Sequence, residues 1–421
     1  MREKSQKAAR LFLTKDILEI LWNISFLLLM LAVICFGHIQ WGTNYYYYFT
    51  FFFFVGVTMA ETLLRRNWYR QMYLPLQTVW YGLFILLAII SAFWAPSFGM
   101  LTLPMKRMIQ NLVLTYCLAQ HVSSKDRLEE YIRIVLAVSL FLAIYLLVRT
   151  PFDQWFSGFL GRGTGYNSND IGQSLAVCVI FAFYEAYIRH KKFCYAIAAI
   201  SMFTVFLTSS RKAISMSILG VILLVAFNFR TRKYMLRVLC ILALAALLIL
   251  LVFQVPQLYR VIGIRLETMV EYFMSDKDVD YSISLRHFYI GVAKSILREH
   301  PLIGIGMNNF SDYITRYGDT LAYCHNNYWE IAADLGIVGL IVYYWFYVYL
   351  FFKLVRQVFD GHKTALVFLT LLVQFLVFEY GIVNYYKTQS HLILAAAFCA
   401  VAINDDEESE PERLPAAEEK P

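Results

Sequence analysis

The chain has 421 residues, of which 59% are hydrophobic and 16% charged, with a net charge of +7 and a mean hydropathy of +0.55. Soluble domains carry about 25% charged residues, and no single soluble core would hide this much apolar surface. Soluble globular classes are therefore excluded, and a polytopic membrane protein is expected.

An apolar run of about 20 residues crosses the roughly 30 Å hydrocarbon layer as a helix. Windows of that length give about twelve spans, near residues 17–37, 44–63, 75–95, 102–121, 131–149, 169–188, 193–209, 212–229, 234–254, 328–352, 364–383 and 388–403. The expected fold is all-α, with these transmembrane helices over residues 1–403. One long extracytoplasmic loop, about 255 to 327, carries short amphipathic helices. The acidic tail 404–421, "NDDEESEPERLPAAEEKP", is expected to be a disordered cytoplasmic end.

The basic start "MREKSQKAARLFLTK" runs into a full-length apolar span without a small-residue cleavage site, so it reads as a first anchor. The span at 102–121 holds Lys106 and Arg107 near one end, where long cationic side chains snorkel to the interface. Basic segments such as "RRNWYR", "SKDRLEEYIR", "RHKK" and "KLVRQVFDGHK" fall on one side of the bundle, "HIQWGTN" and "APSFG" on the other. The positive-inside rule makes the first side cytoplasmic, with both termini there. The net charge is thus an orientation signal and requires no nucleic acid.

Cations on the other side go against that rule. The stretch "GFLGRGTGYNSNDIGQ" (158–173) holds Arg162 in a glycine-rich turn, with Ser168 or Asn169 placed to cap the next helix. A Rossmann reading of its G-x-G fails, because no strand precedes it. "FLTSSRKAIS" (206–215) is a tight hairpin in which Arg211 is unneeded for folding, although a snorkelling arginine would look the same. In the long loop, "SISLRHFYIGVAKSILREHP" spaces Leu285, Phe288, Tyr289, Val292 and Ile296 as one helical stripe, which Pro301 stops. Arg286 stands at the edge of that stripe. "DKDVD" (276–280) imitates the start of an EF-hand, but Tyr281 stands where glycine is needed, so it reads as a solvated acidic loop. The seven cysteines lie mostly within spans and give no disulfide framework. Cys324 neighbours His325, and reads as a passive thiol before it reads as a nucleophile.

"HNNYWEIAADLGIVGLIVYY" (325–344) then turns from polar to greasy within a few residues. Asn326 or Asn327 can cap the helix, and Glu330 and Asp334 favour its positive N-terminal end. Capping accounts for the asparagines and acids. It leaves His325 unexplained.

These stretches together resemble the O-antigen ligase and polymerase superfamily of bacterial membrane glycosyltransferases. His325, Asn326, Glu330, Asp334, Gly336, Gly339 and Leu340 match its H-N-x-x-x-E-x-x-x-E/D-x-G-x-x-G-L signature. "LTSSRKAISMSILGVI" is similar to its T-x-S-R-x-A/G segment. "SLRHFYIGVAKSILREHPLIGIGMNNF" resembles its arginine helix and P-x-x-G-x-G turn. "GRGTGYNSNDIG" is similar to an arginine followed by N-P-N, with Ser168 in place of the proline.

The resemblance implies an enzyme of the bacterial inner membrane. It would take a polyprenyl-pyrophosphate-linked oligosaccharide on the outer face and pass the glycan to an acceptor hydroxyl, without metal or other cofactor. Arg211, Arg286 and Arg162 are the implied pyrophosphate ligands, since guanidinium forks bind phosphate bidentately. His325 is the implied base, oriented by Glu330, with Asn326, Asp334 and Asn169 supporting. The acceptor would be a glycan or a lipid, and the resemblance implies a flippase and a chain-length regulator as partners. A polymerase of capsule or O-antigen repeat units is favoured because it needs no special acceptor. A ligase that hands the finished chain to lipid A core, wall polymer or protein is the alternative. A transporter of polysaccharide or lipid-linked sugar is more distant, because the two halves of the chain show no likeness.

Overall fold

The computed structural model describes residues 2–36, 45–64, 74–155, 160, 168–228, 281–317 and 321–409, together with 251–256 and scattered positions between 236 and 267. Among them every regular element is a helix. Each expected apolar stretch except 234–254, most of which is not described, forms one: α1 (Arg2–Leu31), α2 (Tyr45–Leu64), α3 (Leu76–Ile90), α4 (Phe98–His121), α5 (Lys125–Arg149), α6 (Ser168–Tyr187), α7 (Cys194–Leu207) and α8 (Arg211–Phe227). The long loop contributes α9 (Tyr281–Glu299) and the one-turn α10 (Phe310–Tyr313), and the chain continues through α11 (Asn327–Asp360), α12 (Lys363–Phe378) and α13 (Thr388–Ser409). Five described segments are long and apolar enough to cross a membrane: Ile17–Cys35, Tyr45–Leu64, Leu76–Phe93, Lys125–Arg149 and Asn327–Asp360. The chain is an all-α membrane protein.

Two boundaries depart from expectation. α11 continues to Asp360, past the expected end of its span at 352 and through the basic stretch, until Gly361 closes it at φ 98°. α13 likewise extends to Ser409, so the acidic tail begins inside a helix. There Asn404 Nδ2 donates to Gln357 Oε1 at 2.9 Å, and Asp405 takes Lys353 Nζ at 2.8 Å and Gln357 Nε2 at 2.9 Å. Those partners order the first residues of the tail. Residues 410–421 lie outside the described residues.

α9 forms as its stripe predicts and ends just before Pro301. Tyr289, Val292, Ala293 and Ile296 are buried with Ile305, Phe310, Ile314, Cys324 and Ala333 in a second apolar cluster, separate from the main core. Ala333 belongs to α11, so the loop helices sit on the beginning of that helix rather than apart from the bundle.

The seating uses a break in α11. Gly336 lies at φ 66°, ψ −161°, outside helical geometry. Such a break strands backbone donors and acceptors that have no water to turn to inside a bilayer. The turn Pro301–Gly306 fills the gap. Ile337 N donates to Pro301 O (2.9 Å) and Val338 N to Leu302 O (3.1 Å), while Ile305 N and Gly306 N donate to Ala333 O (3.0 Å) and Asp334 O (2.7 Å). Gly304 and Gly336 make the approach possible. A Cβ on Gly304 would sit 2.4 Å from the Asp334 carbonyl carbon, and one on Gly336 2.3 Å from that of Leu302. The P-x-x-G-x-G turn and the x-G-x-x-G of the next motif are two halves of one joint.

Candidate functional site

Asn326 caps α11, its Oδ1 accepting from Trp329 N at 3.1 Å. Asn327 ties the same point to the loop that joins α12 to α13. Its Oδ1 accepts from Asn384 N (2.8 Å) and Tyr385 N (3.1 Å), and its Nδ2 donates to Glu379 Oε2 (3.1 Å). Glu379, fully buried, also accepts from Tyr344 (2.7 Å) and Tyr347 (2.9 Å).

His325, immediately before the cap, has φ 58°. A left-handed backbone on a residue other than glycine is uncommon and tends to be held by its surroundings at functional positions. The imidazole lies beside the Tyr323 ring (centroids 4.0 Å apart) and near-parallel to that of Tyr289 (6.2 Å). Burial, and then the positive charges of Arg286, Lys212 and Lys387, lower its pKa from the usual 6.5 to about 4. It is therefore a neutral imidazole at physiological pH.

The two acids of the signature do structural work here. Asp334 Oδ2 accepts from Asn308 N (2.7 Å) and Oδ1 from Phe310 N (2.9 Å), which fastens the end of the inserted turn to α11. Glu330 is fully buried and its Oε2 accepts from Cys324 N. The orienting role expected of Glu330 is not exercised through a hydrogen bond to His325: among the described residues none joins them. Pairing with carboxylates would also have raised the imidazole pKa, whereas the cations around it lower it. Burial and the nearby Glu330 and Asp334 push the Cys324 thiol well above its ordinary pKa, so no thiolate is on hand beside His325.

Arg211 is the first residue of α8, after a left-handed Ser209 (φ 54°) and the N-cap Ser210. Ser210 Oγ donates to Asn169 Oδ1 at 3.0 Å, which joins the beginnings of α8 and α6. They touch because residue 172 is glycine: a Cβ there would lie 2.5 Å from that of Ala213. Arg286 is half-buried on α9. The charges of Arg211, Arg286 and Lys387 and the carboxylate of Asp170 all act on Lys212. Lys212 Nζ in turn donates to Gly381 O on the α12–α13 loop.

His325, Arg211, Arg286, Asn169, Asn326, Glu330 and Asp334 are thus assembled at one end of the bundle, whereas Arg162 lies outside the described residues. Reading the sequence assigned no role to Lys387 or Glu379. Both lie more than 50 residues beyond His325. One signal was there for Glu379, the one charged residue in the apolar stretch 364–383. Among the described residues no group of three or more His, Cys, Asp or Glu could hold a metal ion.

The charges of Arg286, Lys212 and Lys387 thus act on a neutral histidine at one end of an all-α membrane protein. Residues 196–344 match the family described as O-antigen ligase. The match spans α7 to the middle of α11 and contains Arg211, Arg286 and His325. It supports placement in the O-antigen ligase and polymerase superfamily, as the motifs resemble. No curated protein matches the chain.

Proposed function

We propose that this protein is a membrane glycosyltransferase that moves a glycan from a polyprenyl pyrophosphate to an acceptor hydroxyl at the outer face of the bacterial plasma membrane. The observation that carries the reading is the convergence of the Arg286, Lys212 and Lys387 charges on a half-buried, neutral His325 inside the family match. In the reaction the acceptor oxygen bonds to the anomeric carbon as the bond from that carbon to the pyrophosphate oxygen breaks. The electron pair leaves on the pyrophosphate, and His325 takes the acceptor's proton. Arg211 and Arg286 offset the charge that grows on the leaving group, so the reaction as proposed uses no metal.

The test is transfer by purified enzyme from lipid-linked donor. Arg211→Ala and Arg286→Ala are expected to abolish it while the protein stays in the membrane, and lysine at either position to restore it only in part, because a point charge lacks the guanidinium fork. Near-normal product from either alanine variant removes that arginine from the site.

A polymerase of capsule or O-antigen repeat units is the finer proposal, since a second donor molecule can serve as acceptor. A deletion strain decides: single repeats on the normal acceptor mark a lost polymerase, and full chains stranded on the carrier lipid mark a lost ligase. The proposed orientation has its own check in a cysteine-free background. Cysteine at Asp312, beside the site, is expected to react with an impermeant thiol reagent in whole cells, and cysteine at Lys191 to stay unlabelled. Labelling at Lys191 from outside would invert the topology.

A further inference from the structure

Lys387 lies on the α12–α13 loop, beyond the matched stretch 196–344. Its position is nonetheless fixed against His325. Lys387 N donates to Asn384 O at 2.9 Å, Asn384 N and Tyr385 N donate to Asn327 Oδ1, and Asn327 N donates to Glu379 O at 2.8 Å. Asn327 is two residues from His325, so loop and histidine keep one geometry.

The Lys387 ammonium is 2.6 Å from Asp170 Oδ1, at the beginning of α6. Asp170 is placed as firmly: its neighbour Asn169 is bonded to Ser210, and its carbonyl accepts from Ser174 Oγ at 3.2 Å. The two charged side chains are 24% and 25% exposed, so an arriving ligand can reach both. For a partly buried pair the cost of desolvating two charges offsets much of their attraction, so the pair is weak evidence of a stabilising role. Its surroundings supply another. Three cations, Arg211, Lys212 and Arg286, act around it, and Asp170 is the acid that acts with them on Lys212. A carboxylate in such a place competes with any anionic ligand for the cations.

We infer that Lys387 and Asp170 form an exchangeable ion pair within the donor site: Lys387 turns from the carboxylate to the pyrophosphate when the lipid binds, and returns to Asp170 when polyprenyl pyrophosphate leaves. This rests on the donor chemistry proposed above. Asp170 is then a resident counter-ion that keeps the empty site from being excessively positive and loosens the product. No bond is made or broken in the exchange. Lys387 adds a third positive group to the two arginines, with the reach of a flexible stem in place of a fixed fork.

The experiment measures equilibrium binding of polyprenyl pyrophosphate, and of polyprenyl monophosphate, to the purified full-length protein in nanodiscs. Lys387→Gln is expected to weaken the pyrophosphate lipid by roughly tenfold, the worth of one charge-assisted hydrogen bond, and the monophosphate by less. Lys387→Arg should recover most of the loss. Asp170→Asn is expected to act in the opposite direction, tightening the pyrophosphate lipid by roughly threefold and lowering kcat if product release limits turnover. The opposite signs are the signature, because a purely structural pair would make both substitutions weaken binding or leave it alone. Unchanged or weaker binding by Asp170→Asn, or unchanged binding by Lys387→Gln, overturns the exchange while leaving the donor reading intact. Wild-type protein that ignores both lipids overturns the donor reading, and the exchange with it.

Discussion

His325→Gln is expected to bind the lipid-linked donor with near wild-type affinity and to turn it over roughly 10²–10⁴-fold more slowly, the usual contribution of a general base. His325→Asn is the sharper companion. Asparagine tolerates the left-handed backbone that residue 325 adopts at φ 58°, so it removes the imidazole while sparing the turn. If either variant transfers glycan at near wild-type rate, His325 only shapes the start of α11.

The same residue carries a pH signature whose sign follows from its surroundings. The working form is the neutral imidazole, so activity falls as pH drops through the pKa. In the free protein that value is about 4, held down by burial and by Arg286, Lys212 and Lys387. The acid limb of kcat/KM reports the free enzyme and should lie well below the 6.5 of an ordinary histidine. Bound pyrophosphate offsets those three charges, so the acid limb of kcat, which reports the complex, should move to higher pH. Under the proposed mechanism, donor binding would thereby turn a weak base into a stronger one. A kcat limb at or below that of kcat/KM would sink this electrostatic account.

The second large effect concerns the joint between α11 and the turn inserted into it. Gly336→Ala is expected to destabilise the protein by about 2–5 kcal/mol, from the positive φ together with the overlap with Leu302. Gly304→Ala should behave alike, since its Cβ would overlap the Asp334 backbone. Gly291→Ala is the control: it lies on α9 with nothing within 4 Å of a Cβ, and alanine there should be neutral or stabilising by up to about 1 kcal/mol. Thermal unfolding in detergent measures all three. A Gly336→Ala protein that melts with the wild type would show that the joint bears no strain.

Apolar run lengths, the α9 stripe and an asparagine cap at 326 or 327 were legible in the sequence because each is a local, periodic or adjacent-residue property. The motif residues were legible as a set, but the work each does was not. Glu330 and Asp334 sit four apart near a histidine, which reads as an acid–base constellation. In the fold their carboxylates are directed at the backbone amides of Cys324, Asn308 and Phe310. Hydrogen bonds to main chain leave no trace in residue identity. Gly304 and Gly336 each look like an ordinary turn or helix glycine, and only their contact shows why both are needed. Lys387 and Glu379 were missed because sequence separation hides a partnership that Asn327 makes short in space.

That partnership also sets an order of events during synthesis. The histidine and two of its cations are translated well before residues 379–391, yet the loop holding Lys387, the carbonyl that Lys212 engages and the amides that Asn327 receives all come from that late segment. Tyr81 of α3 donates to Tyr385 O at 2.7 Å and His391 Nε2 lies 2.8 Å from the same oxygen, so an early helix and the last one grip one peptide group. A nascent chain carries no finished site until its final helix has entered the bilayer. A ribosome stalled before residue 379 leaves behind a membrane-inserted chain in which the site is not yet assembled.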